Sequence, residues 1–427
     1  RVGAWQFSGS RYHPCRTMKR IIAIGLMTLS AAVHAAPHYQ VLTSTKRDIN
    51  IESWQLTAAD FPSYKGKARW SINKRTLHGG KQEGVELIEV DNGKLQFRVI
   101  PTRGMSVLDV TLGDVRLGWN SPVKEVVHPI YINLHDRGGL GWLDGFNEWM
   151  VRCGLSFAGH PGEDKFMNNV GAEATMDLTL HGKIGNIPAS EVVVVVEKQA
   201  PHRIRIRGRV NEVSFYGPNL SIWTEISTIP GSNEFRISDE LTNNGTFDEE
   251  FQIIYHANFG RPLLGEGAKM LTASKKIVPF NENAAKAIDK QEVYPPPSKG
   301  FIEEVYKIYP KADKDGNATA VLLNPKGDRG VTVSWPVKQL PYLTQWKNTA
   351  AETTGYVTGI EPGTGFPHNR GYERKYGRVP KLAPGSSRSF DLDFKILSNA
   401  GEVKTASDAV TKLQGKNGPE IQKEPEE

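Results

Sequence analysis

Gly84-Val85-Glu86-Leu87-Ile88-Glu89-Val90, then Asp91-Asn92-Gly93, then Lys94-Leu95-Gln96-Phe97-Arg98-Val99-Ile100: two stretches of alternating apolar and polar side chains flank a turn signal. Asn-Gly between alternating runs is a strong hairpin signature, because both residues tolerate the positive φ that a tight turn demands. The same period of two continues along the chain. It recurs in His202–Val210, Leu220–Ile226 and Glu234–Leu241, and the later segments Ala320–Leu323, Val331–Trp335, Tyr356–Glu361 and Arg388–Ile396 also read as strands. Glu191–Glu197 is a continuous valine run, as expected for a strand covered on both faces. No long amphipathic helix is evident, and Asn283–Lys290 is the best short candidate. With 42 glycines and 26 prolines to make turns, and no helical crossovers, the chain is predicted to be all-β. The expected architecture is a large antiparallel β-sandwich in one domain over residues 81–397.

The ends read differently. Met18-Lys19-Arg20, the apolar run Ile21–Leu29 and Val33-His34-Ala35 form a positive n-region, a short h-region and an A-x-A-like site. That is the pattern of a cleavable signal peptide, and it predicts a periplasmic protein starting near Ala36. Residues 1–35 are therefore expected to comprise upstream residues plus this peptide. The run is too short for the ~20 residues that span a bilayer, so no membrane partner is expected after cleavage. The formal net charge is +6, of which five charges (Arg1, Arg11, Arg16, Lys19, Arg20) precede Ala36 with no acid among them, leaving +1. No Lys/Arg cluster is interleaved with aromatics, which argues against nucleic acid as a partner. Residues 36–80 read as an N-terminal extension. Residues 398–427, rich in Lys, Glu, Gly and Pro, read as a polar, disordered tail with at most a short helix around Ala406–Leu413. Beyond the leader Cys153 stands alone, and in its apolar setting it reads as a buried, inert thiol.

Three segments set an ionisable group beside glycine or proline at a strand end: Leu180-His181-Gly182-Lys183, Tyr255-His256-Ala257-Asn258-Phe259-Gly260 and Gly359-Ile360-Glu361-Pro362-Gly363. A carboxylate and two imidazoles suit acid–base chemistry on a sugar. The sequence has no phosphate-binding glycine loop, no paired CxxC and no metal-ligand triad, so no metal or cofactor is expected; His135-Asp136 reads as loop structure.

These residues also carry a resemblance. Leu241-Thr242-Asn243-Asn244-Gly245 followed by Tyr255–Gly260, with His181-Gly182 before and Gly359–Pro362 after, resembles the aldose 1-epimerase-like (galactose mutarotase-like) superfamily. Thr102–Met105, Gly138–Phe146 and Val151–Gly154 are similar more particularly to its DUF4432 branch. The resemblance spans about Gly84 to Leu397 and implies a β-supersandwich with a sugar cleft on one face. It further implies Glu361 as general base on the anomeric hydroxyl, His256 as general acid toward the ring oxygen and His181 as second imidazole. Arg103, Asp144, Glu148, Arg152, Asn258 and Trp142 become candidates for binding the substrate, and His256 and Glu361 are expected to stand apart across a pyranose. The sequence departs from the well-known mutarotases: Gly145-Phe146-Asn147 lies some forty residues before His181, near His135, so either His181 or His135 could fill the first histidine's role, with His181 favoured, and a basic, aromatic loop, Asn369 to Arg378, follows Glu361. That loop would suit an acidic or modified sugar.

The implied activity is interconversion of sugar anomers. Two alternatives use the same scaffold: a sugar-binding protein without catalysis, and a lyase or hydrolase on an oligosaccharide, for which Arg103, Arg152 or Arg374 would neutralise a uronate. Convergence of Glu361, His256 and His181 on one cleft separates the first reading from the second.

Overall fold

The computed structural model describes residues 36–426. The signal-peptide reading falls on residues 1–35, outside the described residues. The opening hairpin forms as read: Glu86–Asp91 pairs with Gln96–Ile100, Asp91 opposite Gln96. Gly93 takes φ 87° in its turn. Asn92 does more than turn the chain. Its amide oxygen accepts from Lys94 N and Leu95 N, and its amide nitrogen donates to Thr228 Oγ1 and to the carbonyls of Ile229 and Ser232. A fully buried side chain thus stitches the hairpin to a loop of the opposite sheet.

Two large, essentially antiparallel sheets, one of ten strands and one of thirteen, pack against each other. The ten-stranded sheet is built around Ile204–Val213, Asn219–Thr228, Glu234–Asn243 and Ser387–Leu397, and in Ile204–Val213 and Glu234–Asn243 burial alternates residue by residue. Glu191–Val196 is covered on both faces, as its valine run requires. The core between the sheets includes the rings of Phe97, Phe235, Trp149 and Phe394. One ionic group crosses this core. Arg152 of the larger sheet pairs with Asp239 of the smaller, and Thr224 Oγ1 and the Tyr255 hydroxyl join them.

The two terminal segments differ from expectation. Residues 36–80 belong to the sandwich: His38–Ser44 pairs with Glu191–Val196, and Trp54–Thr57 and Ser71–Thr76 extend the larger sheet beside Glu86–Asp91. The tail is ordered. Asn399 and Glu402 form a reciprocal cap, Asn399 Oδ1 accepting from Glu402 N and Glu402 Oε2 from Ser398 N. The helix Ala400–Gln414 that follows lays Val403 and Val410 on Ala273, Val321 and Leu397. Glu420–Ile421 then adds to the larger sheet beside Lys276-Ile277. The short helix expected at Asn283–Lys290 is Glu282–Ala285 followed by a 3-10 turn at Ile288–Lys290, capped by Asn281.

Candidate active site

The site lies on the outer face of the larger sheet, where neighbouring strands run Glu304–Pro310, Tyr342–Thr349, Tyr356–Gly363, Gln252–Phe259 and Met150–Leu155. Lys307 is opposite Thr344, and Thr344 is opposite Glu361. The register that pairs Ala257 with Ile360 sets His256 opposite Glu361, and Val151 stands beyond His256. Residues directly opposite in antiparallel strands share a face with their side chains in contact. Pairing therefore produces the juxtaposition that spacing along the chain could not: His256 Nε2 lies 3.2 Å from Glu361 Oε1. Gly359 leaves room for this carboxyl, since a Cβ there would fall 2.2 Å from Glu361 Oε1.

The orientation of His256 follows from Asn258. The Asn258 amide nitrogen donates to the carbonyls of Glu148 and His256, so its oxygen accepts from His256 Nδ1 at 2.7 Å. Nδ1 therefore carries the hydrogen, which leaves Nε2 facing Glu361. Burial shifts both partners toward their neutral forms. It pushes the Glu361 carboxyl well up, helped by the negative charge of Glu303, and it brings the His256 imidazole down to about 4 against the pull of the Asn258 hydrogen bond.

His181 reaches the pair from a different chain segment. It takes φ 60° and is followed by Gly182, where a Cβ would lie 2.1 Å from Phe157 O. The histidine–glycine pair is thus a left-handed turn wedged against its neighbours, a place where backbone strain is held by surrounding structure. His181 Nδ1 donates to Ala158 O at 3.0 Å, which leaves Nε2 free. Its ring lies 5.2 Å from that of His256. Burial, and then His256, hold it well below the ordinary histidine range. Trp142 packs edge-on against His181 at 4.6 Å, while Phe146 and Trp346 flank His256 at 5.4 and 5.5 Å. The result is one acid–base cluster set in aromatic walls. Cys153 lies in the same apolar shell, and burial pushes its thiol well up, away from the reactive thiolate.

Glu361, His256 and His181 thus come together, while the residues expected to bind substrate do so unevenly. Arg103 is buried: it donates to the carbonyls of Val127, Gly145 and Gly185 and pairs with Glu148 at 2.7 Å. Both are internal braces for the loop bearing Trp142 and Phe146. Arg152 points into the core because side chains alternate along a strand, and Val151 and Cys153 take the site face. Asp144 is half-buried and paired with Arg137, and His135 is exposed. Asn258 holds His256, and Trp142 supports His181 from below. Arg374, proposed to face a uronate, is engaged by Asp164 and Glu250. The expected gap between His256 and Glu361 is absent; the two are in contact. Among the described residues no group of three or more His, Cys, Asp or Glu is arranged to hold a metal ion.

Sequence reading missed Thr344, Trp346, Glu303 and His160. Trp346 Nε1 donates to Glu303 Oε2 at 2.7 Å, and the His160 ring lies tilted against Phe280 at 5.2 Å. The one available signal was Ala158-Gly159-His160-Pro161: a Cβ on Gly159 would lie 1.7 Å from His368 O, so the glycine marks a close loop crossing.

Two large sheets with a buried glutamate–histidine pair on one outer face define a galactose mutarotase-like protein. The chain belongs to the DUF4432 family, a domain of unknown function, whose pattern matches residues 82–396. A protein from Klebsiella pneumoniae subsp. pneumoniae MGH 78578, described as a "putative aldose 1-epimerase", is 41% identical, with 91% of this chain and 99% of that chain covered and a TM-score of 0.86. A galactose mutarotase-like protein from Clostridium acetobutylicum shares the fold at 14% identity and TM-score 0.52, covering 81% of this chain and 99% of that one. No curated protein matches the sequence.

Proposed function

We propose that this protein interconverts the anomers of a reducing sugar by acid–base ring opening. The observation that carries the reading is the 3.2 Å contact between His256 Nε2 and Glu361 Oε1, with the other imidazole nitrogen committed to Asn258. The anomeric hydroxyl and the ring oxygen are bonded to the same carbon, so two groups in contact can address both. Glu361 takes the hydroxyl proton while His256 Nε2–H protonates the ring oxygen, the bond from the anomeric carbon to the ring oxygen breaks, and an open-chain aldehyde results. Rotation about the adjacent carbon–carbon bond and the reverse transfer give the other anomer. The proton count closes, because the pair holds one exchangeable proton throughout. Ring opening uses carboxylate and imidazolium; ring closure uses carboxylic acid and imidazole, the neutral form that burial favours. His181 Nε2 is placed to hold a sugar oxygen beside them. The test is exchange NMR on a panel of reducing sugars. Acceleration of anomer exchange for at least one supports the reading, whereas saturable binding with no acceleration would leave a binding protein.

For location, we infer export to the periplasm, on the strength of Lys19-Arg20, the apolar run from Ile21 and Val33-His34-Ala35. N-terminal sequencing of native protein should begin near Ala36; Met18 retained on soluble cytoplasmic protein would overturn it.

A further inference from the structure

Two strands from Glu361 on the same face, Lys307 has its ammonium end fully buried, and what meets it is a carboxylate from the far end of the chain. Glu426 Oε2 accepts from Lys307 Nζ at 2.8 Å and from Arg378 Nη1 at 3.1 Å, and Oε1 accepts from the Tyr309 hydroxyl at 2.9 Å. The Tyr372 hydroxyl donates to the Glu426 backbone carbonyl. His368 Nε2 faces Lys307 Nζ at 3.4 Å, its ring stacked on Phe280 and tilted against Tyr372. Burial, then the charges of Lys307 and Arg378, hold His368 down to about 2, so it stays neutral and acts as an acceptor. Arg378 is also gripped by both oxygens of Glu373. Without Glu426 the group comprises two cations and one anion. The net single positive charge matches a monoanionic carboxylate better than a phosphate dianion.

The position is informative. Lys307, Thr344, Glu361 and His256 form one row across four strands, so Lys307 lies roughly 10 Å from Glu361 at the backbone, two strand spacings away. His160 and His368 lie between the clusters: His160 N donates to Pro367 O, and Phe280 carries the His368 ring stacked on it and the His160 ring tilted against it. Glu426 is also lightly tethered. After the helix ending at Gln414, the segment is held by the exposed pair Glu420–Ile421, by the ion pair of Lys276 with Glu420 and by Gln422 N donating to Ile277 O.

We propose that Lys307, Arg378 and Tyr309 form the carboxylate subsite of the sugar cleft, that the substrate is an acidic sugar of the hexuronate type, and that the Glu426 carboxylate occupies the subsite until such a sugar displaces it. This rests on the sugar-site reading above and adds the substrate class and a built-in competitor.

The test is calorimetric binding to the full chain of glucuronate and galacturonate, their parent hexoses, and the hexose 6-phosphates. A charge-assisted hydrogen bond is worth enough to separate ligands by roughly 10–100-fold. A hexuronate is expected to bind at least ~10-fold tighter than its parent hexose. Glu426→Gln should raise hexuronate affinity more than hexose affinity, and Lys307→Met should remove the preference. Equal affinity for hexuronate and hexose in all three proteins would overturn the subsite while leaving the sugar reading standing. Tighter binding of the phosphates would overturn the carboxylate assignment. A Glu426→Gln protein that melts earlier but binds hexuronate unchanged would make Glu426 a structural clamp and overturn the proposal. Binding of no sugar by any of the three would overturn this proposal together with the sugar-site reading.

Discussion

Replacing Asn258 by leucine tests whether the orientation of one imidazole is what the site depends on. The side chains are similar in size, and the change deletes three hydrogen bonds: one accepted from His256 Nδ1 at 2.7 Å, and two donated to Glu148 O and His256 O at 3.1 Å each. At a net worth of about 1 kcal/mol apiece, the fold should lose about 3 kcal/mol. For a chain of this length that is a drop in Tm of about 4 °C. The effect on rate should be larger. With no acceptor at Nδ1, the imidazole is free to carry its hydrogen on Nε2 or to turn away from Glu361. Losing a positioned acid–base group costs on the order of 10²–10⁴ in rate. Asn258→Asp keeps the acceptor, so it should recover most of the rate; its negative charge should also raise the His256 pKa and move the acid limb of the pH profile upward, a shift that a purely structural role would not produce. Anomer exchange by NMR and thermal melting give both readouts. Asn258→Leu with the expected loss of Tm but a rate within about threefold of wild type would mean that the site does not depend on the orientation of this imidazole, because that factor is far below the worth of a positioned acid or base.

The pH profile of kcat/KM should be set by the single shared proton. Adding a second means charging His256, which burial holds down to about 4, so activity should persist well below pH 6 and fall near pH 4; removing the proton means ionising Glu361, whose pKa is raised, so the alkaline limb lies well above the ordinary carboxylate range. An acid limb at the unperturbed histidine value, near 6.5, would contradict this. Arg152→Met leaves Asp239 charged and unpaired in the core, which should cost about 3–5 kcal/mol by urea unfolding, with most of it recovered when Asp239 is also made apolar. A loss below about 1 kcal/mol, the range of exposed pairs, would mean that the ion pair is not buried in solution.

Much of this architecture could be read from local sequence, because strand period and turn chemistry are local. Asp91-Asn92-Gly93 declares its hairpin, and the Val192–Val196 run declares a strand covered on both faces. Features that rest on distant pairing left less trace. His38–Ser44 finds its partner some 150 residues away, so residues 36–80 looked like an extension. The tail was weighed by composition, which hides the Asn399/Glu402 cap and the Val403–Val410 stripe. In the site, glycine and proline neighbours betray His181, His256 and Glu361, because those side chains sit where strands turn or crowd. Residue type alone misassigns Arg103, Glu148 and Arg152. Met150–Leu155 is buried on both faces, so no alternation shows which side Arg152 takes, and a guanidinium braced by carbonyls looks, in sequence, like one waiting for a sugar. Lys307 and Trp346 carry no motif; only register brings them to the row.

The central claim, that Glu361 and His256 share the proton that opens the sugar ring, is tested most directly by measuring anomer exchange with Glu361→Gln. The amide keeps the shape of the side chain but cannot take a proton from the anomeric hydroxyl. The variant should fold, still bind the sugar, and exchange anomers about 10²–10⁴-fold more slowly than wild type. A folded variant that equilibrates anomers at the wild-type rate would contradict that claim.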